Sequence, residues 1–124
     1  MQLLTTVDEL RDAINSLSPE GRTAAQDFAG YVLANPSVVQ NGDELNKAFL
    51  ASCLRALEQH GWDLSNKYRV EGFLRENNEP IIQLAVSIIR FAMANQGQAA
   101  APKWGWAKKG AALAGGILLS TLFG

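Results

Sequence analysis

The chain reads as all-α: a compact bundle of about five helices with an apolar central helix (80–95), then a linker and an apolar helical tail. Three observations predict this. Apolar residues recur at helical spacing through the first 95 positions. The runs open on capping residues or prolines and end at Gly, Asn or Pro. The one run whose β-branched content would also suit a strand, 81–93, starts after a proline and is too long for one.

Thr6-Val7-Asp8-Glu9 has the form of a capping box, with Thr at the N-cap and Glu three residues on. Val7, Leu10, Ile14 and Leu17 follow at helical spacing and predict a first helix over 7–17. Ser18-Pro19-Glu20 starts a second, with Ser as cap, Pro at the first helical position and an acid in the first turn. Ala24, Phe28, Tyr31 and Val32 form its apolar stripe. Asn35-Pro36 ends it, because the residue before proline avoids the helical region.

Asn41-Gly42-Asp43 is a turn leading into a third helix, 44–59. Leu45, Phe49, Cys53, Leu54 and Leu57 share one face there, and Gly61 supplies a left-handed stop. Trp62 and Leu64, in the connection, are expected to fold back onto the core. Ser65 suits the cap of a fourth helix, 66–76, with Val70, Phe73 and Leu74 inward. Asn77-Asn78-Glu79-Pro80 then predicts a break and a restart at the proline. In the fifth helix only Gln83, Ser87 and Arg90 are polar between Ile81 and Met93, so it is apolar nearly all round. Such a helix belongs at the centre of a bundle or in a membrane, and thirteen residues are too few to span one.

Charge divides the chain. Residues 1–95 hold all twelve acids and eight bases, net −4, whereas the last 29 residues carry Lys103, Lys108 and Lys109 and no acid. The expected organisation is a helical body (1–95), a small-residue linker (96–103) ending near Pro102, and a tail (104–124). The opening MQLLTTVDEL lacks the basic start and long apolar run of a secretory signal, and the single Cys53 suits a reducing compartment.

The tail carries the functional expectation. Trp104-Gly105-Trp106-Ala107-Lys108-Lys109 precedes fifteen uncharged residues. Trp suits the bilayer interface, and lysines beside an apolar segment reach toward headgroup phosphates. The fifteen residues span roughly 22 Å as a helix, short of a ~30 Å hydrocarbon core; from Trp104 the reach is about 31 Å. Leu113, Ile117, Leu118, Leu119, Leu122 and Phe123 supply apolar surface for lipid or for a groove on another protein. Ala112, Gly116 and Ser120 recur every four residues, a small-residue ridge suited to self-association and hence to a homo-oligomer or pore. A helix closing the body's own core is the third setting that satisfies such a segment; the linker and the Trp-Lys-Lys flank favour the first two. Anionic lipid is the expected partner, and the lysines preceding the apolar run leave the body on the cytoplasmic side. The layout resembles that of tail-anchored death regulators and adaptors, a likeness of arrangement carried by no shared motif.

Little points to chemistry. His60 falls at the end of the third helix, where an imidazole meets free carbonyls. Cys53 lies in an apolar stripe. Asp8, Glu9, Asp12, Asp43 and Glu44 sit near helix starts, where acids stabilise the dipole. Lys67, Arg69 and Arg75 interleave with Glu71 and Glu76, which predicts a solvated face with i,i+4 pairs rather than a nucleic-acid surface. No phosphate loop, paired-Cys motif or nucleophile elbow occurs, so no catalytic residue, metal site or cofactor is expected.

Overall fold

The structure, a computed structural model, describes residues 2–98, with the backbone alone of 95–98, together with residues 119, 122 and 123. The described residues form helices and no strand. α1 spans Val7–Asn15, α2 Pro19–Ala34, α3 Gly42–Gln59 and α4 Lys67–Gln98, with a 3-10 turn at Pro36–Gln40 between α2 and α3.

Local sequence sets most of the boundaries. Thr6 caps α1, its hydroxyl accepting from the backbone N–H of Glu9 at 3.1 Å. Ser18 caps α2 through the N–H of Gly21 at 3.0 Å, and Pro19 occupies the first turn. Asn41 caps α3 through the N–H of Glu44, so that helix starts at Gly42, two residues earlier than the turn signal implied. Gly61, at φ 79°, turns the chain out of α3 in the left-handed region where a Cβ would be strained. Asn66 rather than Ser65 caps α4, its side chain accepting from the N–H of Arg69. Ser65 instead donates to Asp63 in the preceding turn.

The predicted break at Pro80 does not occur: 67–98 is one helix with Pro80 inside it. Val70, Phe73, Ile81, Leu84 and Ile88 are buried along one side, on both sides of the proline. A break would split that apolar face. Pro80 and Glu76, whose carbonyl loses its helical partner, are both exposed residues, so the missing bond falls on the solvent side of the helix and not in the core. Tertiary packing thus outweighs the local penalty. The C-terminal half of α4 is deeply buried, with Ile81, Leu84, Ala85, Ile88 and Ile89 nearly inaccessible, although α2 is the helix that packs against both α3 and α4. It continues to Gln98, so the first residues of 96–103 are helical.

α2 packs against both α3 and α4, and α1 lies on α4 and α2. Phe28 and Phe49 meet edge to face at 6.0 Å between centroids at the α2–α3 contact. Gly21 on α2 lies close to α4: a Cβ there would sit 3.1 Å from Asn77 Oδ1. Asn77 in turn donates its side-chain amide to the carbonyl of Phe73. Two predicted inward residues are turned out, Tyr31 at 38% and Leu64 at 36% exposure.

Candidate functional site

The chain returns to the bundle at its far end. Leu119, Leu122 and Phe123 are helical, and their spacing puts all three on one face. Leu122 is 7% exposed and belongs to the same buried cluster as Phe28, Leu84 and Ile88; Leu119 and Phe123 pack against that cluster. The point of approach on α2 is Gly30. A Cβ built there would lie 3.8 Å from Leu119 Cδ1, an ordinary contact distance, and would meet nothing else within 4 Å among the described residues. The C-terminal end therefore rests against α2 where that helix has no side chain.

Of the tail residues singled out by sequence, Leu122 and Phe123 are thus placed against the body, as is Leu119. Trp104, Trp106, Lys108, Lys109, Leu113, Ile117, Leu118 and the ridge of Ala112, Gly116 and Ser120 lie outside the described residues. Among the described residues, no helix is long and apolar enough to cross a membrane.

A second cluster closes the opposite corner of the bundle. Trp62 folds back as predicted and donates its ring N–H to Glu20 at 3.0 Å. It stands edge-on to Phe73, and the Arg69 guanidinium lies 3.9 Å from its ring centroid. Arg69 is therefore engaged with an aromatic ring, where the sequence predicted a solvated face. Among the described residues the one ion pair joins Arg55 to Asp27, at 2.7 Å. His60 Nε2 lies 2.8 Å from Thr23 Oγ1, across on α2 rather than on the carbonyls ending its own helix. Backbone N–H donation first, then the Trp62 N–H and the nearby His60 and Arg69, hold the Glu20 carboxyl below its ordinary range.

No family model, curated protein or solved structure matches the chain. Its function is therefore read from the residues themselves.

For nucleophilic chemistry the arrangement offers little. Cys53 is buried, and desolvation, with a smaller contribution from the Asp27 charge, pushes its thiol up to about 12. No group of three or more His, Cys, Asp or Glu among the described residues is placed to hold a metal ion. An open depression between α2 and α3, lined by Tyr31, Glu44, Lys47, Ala48, Ala51 and Arg55, encloses no reactive constellation.

Sequence reasoning missed the seat at Gly30. The available signal was a glycine in a helix interior, where it costs about 1 kcal/mol relative to alanine. Such a glycine marks close approach by another element, and nothing in its neighbourhood says which one.

Proposed function

We propose that this protein is a non-enzymatic helical bundle that associates with membranes through its C-terminal segment 104–124. The observation that carries the reading is the order of that segment: Trp104 and Trp106, then Lys108 and Lys109, then an uncharged run rich in Leu, Ile and Phe. Aromatic rings set depth at the interface, lysines favour anionic headgroups by about 1 kcal/mol each, and apolar side chains supply insertion energy. Leu122 is buried against the bundle itself, the third setting open to such a segment, so the order of residues in the segment alone carries the membrane reading. The ridge of Ala112, Gly116 and Ser120 gives the inserted segment a means of self-association and, through it, of permeabilising the bilayer. The body carries no chemistry of its own and stays on the cytoplasmic side, without cofactor or nucleic acid.

Flotation tests this. The full chain should rise with vesicles of phosphatidylcholine and phosphatidylglycerol, and a Leu113→Asp/Ile117→Asp/Leu118→Asp chain should not. Equal flotation of both, or of neither even at saturating lipid, removes the reading.

A second reading is an adaptor or cargo protein whose C-terminal helix enters a groove on a partner or shell protein. The packing of Leu119, Leu122 and Phe123 against helices favours it specifically, because these side chains accept a protein surface as their environment.

A further inference from the structure

The packing of the C-terminal end has a regulatory consequence, which rests on the membrane reading above. Leu119, Leu122 and Phe123 contribute to the apolar surface that would enter lipid, and they are also the side chains packed on the buried cluster of the bundle. One face of one segment cannot occupy both places. Docking on the body and insertion into a bilayer therefore compete, and the apparent lipid affinity falls by the fraction of chains that are docked.

We propose that the α2 surface at Gly30 is an intramolecular docking site for the chain's own C-terminal end, and that its occupancy holds the apolar segment back from lipid. The geometry gives the site its form. Gly30 leaves room for Leu119 Cδ1 to lie 3.8 Å from where a Cβ would stand, and Leu122, 7% exposed, continues the contact into the core. Lipid gives these side chains apolar surroundings as the bundle does, while their departure uncovers the cluster they pack on, a cost that favours the docked state. An event that occludes or distorts α2 near Gly30 then frees the segment.

The site can be altered without weakening the helix that carries it. Alanine and glutamine both favour helix over glycine. Gly30→Ala adds a methyl group at ordinary contact distance and keeps the end docked. Gly30→Gln places a longer polar side chain where Leu119 lies and displaces it; both variants are uncharged, so anionic lipid does not discriminate between them. A Gly30→Cys/Leu119→Cys chain, joined by a short bismaleimide with a reducible spacer, fixes the docked state. The native Cys53 is buried and stays out of the reaction.

Flotation of the full chain with phosphatidylcholine–phosphatidylglycerol vesicles reads the outcome. Gly30→Gln should bind at about tenfold lower lipid concentration than Gly30→Ala. The crosslinked chain should lose flotation and regain it when the spacer is reduced. If Gly30→Gln and Gly30→Ala float alike and the crosslinked chain floats with them, docking does not restrain the segment and the latch is overturned while the membrane reading stands. If no chain floats, Gly30→Gln included, both fall. Failure of the paired cysteines to crosslink in the folded protein overturns the docking site itself.

Discussion

At the N-terminal end, Leu4 donates its backbone N–H to the hydroxyl of Ser87 at 2.9 Å, and Gln83 donates its amide to the carbonyl of Gln2 at 2.6 Å. At the C-terminal end, the described contacts are those of Leu119, Leu122 and Phe123 with apolar neighbours. Both ends lie on the bundle, yet the chemistry that holds them differs. Ser87 is fully buried in the apolar C-terminal half of α4. A hydrogen bond to such a group is directional, and a bilayer interior offers no replacement for it. Contacts among Leu and Phe are non-directional, and lipid chains supply them equally well. One end is thus fixed by polar groups that find no substitute partner on leaving, the other by side chains that hydrocarbon can surround, at the cost of uncovering the cluster they pack on.

The largest expected effect separates permanent from exchangeable core. Leu84 is 1% exposed within α4, and Leu84→Ala should lower the unfolding free energy by about 2–5 kcal/mol in denaturant titration. Leu122→Ala removes a side chain of the same size, but the end that carries it can leave the body. Its cost should not exceed about 1.4 kcal/mol, the equivalent of a tenfold docking preference. Equal losses for the two would make the C-terminal end a permanent part of the core.

Next comes the polar anchor. Ser87→Ala leaves the Leu4 N–H without its acceptor and should cost about 1–3 kcal/mol. Amide exchange at Leu4 should accelerate well beyond that of α2. A stability change near zero would mean that the N-terminal segment is as dispensable as the C-terminal one.

The smallest effect is a response to acid. Glu9 accepts from the hydroxyls of Thr6 and Thr5, and these bonds, Thr6 first, hold its carboxyl below the ordinary value of 4.5. A carboxyl lowered on folding contributes stability that is present above its unfolded value and is lost as pH falls through the folded one. Below about pH 4.5, then, the start of α1 should loosen before the apolar contacts of Leu119 and Leu122 do. Amide exchange at residues 5–9 between pH 5 and 3 follows this; uniform loosening at both ends would erase the distinction.

How much of this was legible in sequence depends on whether the signal is local. The caps at Thr6 and Ser18, the stop at Gly61 and the apolar centre of α4 follow from neighbouring residues, and the structure has each of them. Pro19 and Pro80 show where local rules end. Each stands in the setting of a helix start, but Pro19 opens a helix and Pro80 lies inside one, because the buried face from Val70 to Ile88 runs past it. Ser87 reads as a lone polar residue in an apolar helix, and its partner lies 83 positions away. The His60 ring likewise turns to Thr23, not to the nearby carbonyls. The tail was legible as a segment in need of apolar surroundings. That Leu119 meets α2 at Gly30 is a long-range contact that no spacing encodes.

The central claim is that the C-terminal end exchanges between α2 and lipid. Crosslinking of the Gly30→Cys/Leu119→Cys chain, measured while anionic vesicles are added, tests it most directly. The yield should fall in step with the fraction of protein that floats. A yield that stays constant when all of the protein is vesicle-bound would contradict the claim.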